Sequence, residues 1–102
     1  MDGYAIRDNE DKRRFEVGLG DDSLAIADYA LHPGKIIFTH TFVPPKHEGQ
    51  GIGSALIRFA LNSARERGLK VVPVCPFFAA CIMRHPEEQD LLDPSSREKL
   101  GL

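Results

Sequence analysis

The apolar residues of this chain change period halfway along it, and glycines mark the change. Up to Val43 apolar residues largely alternate with polar ones, the period of a strand that buries one face. From Ser54 they recur every three or four residues, the period of a helix that buries one side. Between the two regimes stands Glu48-Gly49-Gln50-Gly51-Ile52-Gly53. A chain written this way reads as a run of antiparallel strands followed by a strand-helix-strand crossover, an α/β (α+β) arrangement in which the last two strands are parallel.

The individual segments carry that reading. Residues 4–7 form a short possible strand, and Asp8-Asn9-Glu10-Asp11-Lys12 a polar turn. In 14–19 the alternation puts Phe15, Val17 and Leu19 on one face. After Gly20-Asp21-Asp22, residues 23–31 continue as a hairpin partner with Leu24, Ile26 and Tyr29 as its inward residues. The turn His32-Pro33-Gly34 then leads into the β-prone segment 35–43. Leu56, Ile57, Phe59, Ala60, Leu61 and Ala64 form the apolar side of a helix that stops at Gly68, and Lys70-Val71-Val72-Pro73-Val74-Cys75 is a buried strand. A short C-terminal helix is expected over 77–85, opened by Pro76 and closed by His85-Pro86, and the polar remainder, 86–102, is expected to be partly ordered.

Composition excludes several classes of function. A length of 102 residues, 42% hydrophobic and 27% charged, is that of one globular domain, 1–102. No apolar run approaches the roughly 20 residues of a membrane span, and no basic-then-apolar leader is visible, so the expectation is a cytoplasmic protein without a membrane partner. The net charge of -2 lacks the basic stripe of a nucleic-acid binder; Arg13-Arg14 and Arg65-Glu66-Arg67 read as solvated faces. Cys75 and Cys81 are too few for a disulfide framework and read as free thiols. His32, His40, His47 and His85 show no ligand spacing, so no metal is expected.

The glycine segment carries the chemistry. A helix start leaves backbone N–H groups unpaired and bears positive partial charge, so a loop without side chains brings a phosphate close to it. Gly49, Gly51 and Gly53 supply the bare backbone and Ser54 a hydroxyl. No Lys-Ser or Lys-Thr follows as in a P-loop, and Gly-x-Gly-x-Gly after a meander is not the dinucleotide fingerprint. The plain alternative is a tight strand-to-helix turn.

The stretch Val43-Pro44-Pro45-Lys46-His47-Glu48-Gly49-Gln50-Gly51-Ile52-Gly53-Ser54-Ala55-Leu56 resembles the acetyl-CoA motif of the GNAT superfamily of N-acetyltransferases. The resemblance implies that Gly49, Gln50, Gly51, Ile52, Gly53 and Ser54 hold the pyrophosphate of acetyl-CoA or coenzyme A, and that Phe42 and Val43 pair with its pantetheine arm. It also implies a GNAT-type fold whose two parallel strands splay around the co-substrate. Glu48 departs from the pattern, standing where Arg or Gln is usual; Lys46, His47 and Arg84 are the candidates for compensating charge. Phe38-Thr39-His40-Thr41-Phe42-Val43-Pro44, Lys70-Val71-Val72-Pro73-Val74-Cys75-Pro76-Phe77 and Met83-Arg84-His85-Pro86 narrow the resemblance to a small single-domain GNAT-like family, over residues 14–90. There the strand His and the strand-end Cys are regarded as catalytic, which implies His40 and Cys75.

Acetyl transfer gives both residue types work. The attacking amine must be neutral, and imidazole can take its proton, while a thiolate could instead accept the acetyl group and pass it on. The expected function is acetyl-CoA-dependent acetylation of an amine of unspecified identity. The alternative is a non-catalytic CoA-binding or partner-binding module.

Overall fold

The computed structural model describes residues 5–102. One sheet runs in the order β1 (Ile6–Asn9), β2 (Arg14–Gly18), β3 (Leu24–His32), β4 (Lys35–Phe42) and β5 (Lys70–Pro73). The first four strands are antiparallel neighbours, and β5 joins parallel to β4. Tyr4, the expected start of the first strand, lies outside the described residues. Helix α1 (Ile52–Glu66) makes the crossover from β4 to β5 and α2 (Pro76–Arg84) follows. This is the splayed arrangement expected from the sequence, with a mostly antiparallel sheet and a parallel last pair.

The core lies between one sheet face and α1. Phe15 and Val17 from β2, Ile36 and Phe38 from β4 and Val71 from β5 are buried there against Leu56, Ile57, Ala60, Leu61 and Ala64 of α1. The middle strand contributes Ala25 and Ala27, both fully buried, and their short side chains leave room for the helix above. That corrects the face expected for β3: Leu24 is 38% exposed and Ile26 half-buried. Register explains the change, because Val17 pairs with Ala25 and Phe15 with Ala27, so the alanines share the inward face of β2. Tyr29 is buried as expected and donates to Asp8 Oδ1 at 2.5 Å.

Two irregularities matter later. Between β3 and β4 the register shifts: Tyr29 pairs with Phe38 but Asp28 pairs with His40, so Thr39 is an extra residue on β4. Phe38 therefore points toward α1, while His40 takes the other face, with Thr41 back on the α1 side opposite Ala27. On that outer face Glu16 is nearly buried, its carboxylate accepting from Arg7 Nε (2.9 Å), Arg14 Nε (2.8 Å) and Asn9 Nδ2 (3.3 Å). Burial works against the ionised form there, and the bonds from Arg14, Arg7 and Asn9 outweigh it and hold the carboxyl below its usual range.

Residues 86–102, expected to be partly ordered, are docked instead. They form a 3-10 helix (Pro86–Leu91) and α3 (Pro94–Lys99). Leu91 and Leu92 are buried, Leu92 bridges Val71 of β5, and Asp93 caps α3 by accepting the Ser96 amide at 3.0 Å. Arg65 of α1 grips Asp90 with two bonds of 2.8 and 2.9 Å. The polar composition of the segment hides this, because two adjacent leucines supply its main anchor. Among the described residues no helix is long and apolar enough to cross a membrane.

Candidate functional site

The site begins where β5 leaves β4. Their last parallel pair is Phe38 with Pro73, and proline has no N–H to continue the ladder. Val74 turns back onto Val72, the Cys75 amide reaches the Phe38 carbonyl at 2.8 Å, and α2 starts. β4 runs on to Phe42, so its last residues extend past the point where β5 has gone. After Val43, Pro44 is buried, a 3-10 turn covers Pro45–His47, and the glycines lead into α1.

The local backbone explains the glycines. Gly49 and Gly51 have φ of 82° and 79°, the left-handed region that side chains disfavour. Gly51 is the residue before α1, whose first intrahelical bond runs from the Ala55 amide to the Gly51 carbonyl at 3.0 Å. The amides of Ile52, Gly53 and Ser54 precede that bond, and no side chain caps the helix. Three N–H groups and the positive end of a fifteen-residue helix thus lie at one spot.

A cavity of about 600 Å³ opens over this spot. Phe42 and Val43 form its strand wall; Gly49, Gly51, Ile52, Gly53 and Ser54 form the helix side. Seven of the eight residues predicted for co-substrate binding meet there. The eighth, Gln50, is exposed outside the lining and approaches His47 Nδ1 with its Oε1 at 3.4 Å. Thr41 and Phe77 also line the cavity, and alternation alone gave no sign of either.

The charges around the loop differ from those expected. Lys46 Nζ and His47 Nε2 both reach Asp21 Oδ2 at 2.9 Å, so they are engaged by the β2–β3 turn rather than free to balance Glu48. Asp21 also accepts from the Ser23 hydroxyl and, at 3.1 Å, from the Ser23 amide. The bonds from Ser23, His47 and Lys46 hold its carboxyl far below the usual range. Glu48 is exposed on the cavity rim, and Arg84, in the last turn of α2, is exposed and not part of the lining. No local sequence signal connects Asp21 to a loop 25 residues further on, because the link is made only by the fold.

His40 and Cys75 are not brought together. Cys75 is 4% exposed on the α1 side of the sheet, and its Sγ lies 3.3 Å from the Thr41 hydroxyl. His40 is exposed on the opposite face, across from Asp28. The bulge at Thr39 is the cause: in an unbroken ladder Thr39 would stand opposite Asp28 and His40 would face α1. Neither residue lines the cavity; they flank the continuation of β4 from its two faces. Cys81 is buried in α2, and burial pushes its thiol up, away from the reactive thiolate.

Comparison with known proteins agrees with this fold. The family model described as GCN5-related N-acetyl-transferase matches residues 14–91. The NMR solution structure of a GCN5-like candidate N-acetyltransferase from Staphylococcus aureus is similar with a TM-score of 0.70 and 27% sequence identity, covering 91% of either chain. The matched stretch runs from β2 to the end of the 3-10 helix, and so contains every residue of the cavity.

Proposed function

This chain belongs to the GCN5-related N-acetyltransferase family, and on that premise we propose that it binds acetyl-CoA in the cavity beside Gly49–Ser54 and transfers the acetyl group to an amine. The observation that carries the reading is the meeting of two unsatisfied backbones. The uncapped start of α1 offers N–H groups to a pyrophosphate, and β4 beyond Phe38 offers a strand edge to the amides of pantetheine. Bare glycine backbone lets the phosphates approach, and Val43 and Phe77 supply apolar surface for the arm.

On this reading the thioester reaches the gap between β4 and β5, with His40 on one face of β4 and Cys75 on the other. The separation supports separate tasks. His40, open to solvent, takes a proton from the incoming amine. Cys75, hydrogen-bonded to Thr41, is the group on the α1 side that either protonates the departing thiolate or accepts the acetyl group itself. Two free thiols fit a reducing, cytoplasmic setting.

Titration calorimetry with acetyl-CoA tests the binding; absence of heat at millimolar ligand would overturn it. Mass spectrometry of the protein and of a panel of amines tests the transfer. Acetyl-Cys75 after a single turnover marks the covalent route, and acetylated amine without it marks direct attack. Binding without transfer to any member of the panel would leave a non-catalytic CoA-binding module.

A further inference from the structure

The outer face of the sheet holds a half-buried aspartate whose carboxylate makes no hydrogen bond or ion pair among the described residues. α1 and α2 pack on the Phe15 and Phe38 face, as the stacking of Phe78 on Phe38 at 4.0 Å shows, and α3 packs beside β5. Glu16, on the outer face, is answered by Arg7 and Arg14. Asp28, one rung away, receives a bond only at its backbone carbonyl, from Thr39 Oγ1 at 3.4 Å. Among the described residues its carboxylate has neither hydrogen bond nor ion pair, and its neighbour Arg14 is committed to Glu16 at 2.8 Å.

Register places Asp28 directly across from His40, so carboxylate and imidazole are nearest cross-strand neighbours on one face. The next rung on that face is Ile26 with Phe42, an apolar step in which Phe42 is 46% exposed. The two rungs lie on the part of β4 that has outrun β5.

We propose that Asp28 determines acceptor specificity by capturing a primary alkylammonium, with the aliphatic stem of the acceptor lying on Ile26 and Phe42 and its nitrogen beside His40. The proposal rests on the acetyl transfer proposed above. Of the two protons the nitrogen sheds, one leaves through His40 to solvent and the other ends on the coenzyme A thiolate. The nitrogen lone pair forms the C–N bond as the thioester C–S bond breaks and the sulfur keeps its electron pair. The amide product is uncharged, so it loses its attraction to Asp28 and departs. A carboxylate on an open face selects for charge and stem rather than for an enclosed shape.

The test compares wild type with Asp28→Asn, a substitution of equal size. With butylamine as acceptor, KM is expected to rise roughly tenfold while kcat stays within about twofold, the pattern of lost binding. A fall in kcat at unchanged KM, or no change in either, overturns the proposal. Aniline, uncharged at neutral pH, is expected to be the poorer acceptor; equal use of aniline and butylamine also overturns it. A lysine peptide and spermidine, run side by side, tell whether the alkylammonium comes from a protein or a free polyamine. A readout independent of turnover is the NMR titration of the protein with butylammonium. Shifts at Asp28 and His40 that vanish in Asp28→Asn are expected, and their absence in wild type overturns the proposal. Failure of acetyl-CoA calorimetry alone would instead strike the acetyl-transfer reading and leave the titration to judge the ammonium site.

Discussion

Residues around the glycine loop separate backbone demands from ligand demands. A Cβ at Gly51 would meet no atom within 4 Å, so its need for glycine comes from φ of 79° alone. Gly51→Ala should therefore cost about 1–2 kcal/mol of stability and also distort the anion site. Gly53 is the opposite case: it is helical, and its added Cβ would touch Val43 Cγ2 at an ordinary 3.6 Å. Gly53→Ala should raise stability by about 0.5–1 kcal/mol yet weaken acetyl-CoA binding, because the methyl group enters the cavity wall. Urea melts and calorimetry on the two variants check this, and equal affinity for wild type and Gly53→Ala would refute it. Asp21 acts at a distance from any ligand contact, by holding Lys46 and His47. Asp21→Asn should speed amide exchange over 46–51 and lower acetyl-CoA affinity at neutral pH. Because its carboxyl is depressed in the folded protein, its contribution is present above the ordinary carboxylate value and is lost only as pH falls through the lower, folded one. Loop protection in wild type should thus persist at pH 4 and fade in stronger acid, which exchange at a series of pH values measures.

At the scale of elements, the irregular residues decide where the sheet opens and which way its side chains face. The change of hydrophobic period at the glycine loop revealed the order of strands and helix, and Gly49 to Ser54 could be read as bare backbone entering a helix because glycines before a helix have a direct backbone meaning. The inward face of β3 was not legible, since Leu24 and Ile26 look better buried than Ala25 and Ala27 until the helix above demands short side chains. Nor was the bulge, because Thr39 is as ordinary a strand residue as its neighbours and becomes extra only by the pairing of Asp28 with His40. The Asp21 anchor and the docking of Leu92 were hidden for the same reason: both are long-range contacts. Deleting Thr39 keeps His40 opposite Asp28 but straightens β4, since a bulge bends its strand. That deletion should extend the pairing of β4 with β5, raise thermal stability and reduce acetyl-CoA affinity. Unchanged affinity in a folded deletion variant would mean that Pro73 alone holds the strands apart.

At the scale of the molecule, the protein is a thin slab of 40 × 28 × 21 Å with one core under α1 and a C-terminal segment sealing the edge at β5. Leu92 is 2% exposed at that seal, so Leu92→Ala should cost about 2–5 kcal/mol, visible as a Tm lower by more than 8 °C at roughly 4–8 °C per kcal/mol. A shift of only a degree or two would show that the segment is dispensable. The helix that covers the core is also the one whose first turn faces the cavity. Loss of α1 packing and loss of the proposed anion site are therefore one event, and a co-substrate bound at that turn would stabilise the whole domain by mass action. At a ligand concentration a hundred times Kd the gain is about 2.7 kcal/mol, enough to read in a melting curve. In a cell, where proteases sample the unfolded fraction, a protein that binds acetyl-CoA as proposed above would have a lifetime that follows the supply of that ligand, so scarcity would remove the binder along with what it binds.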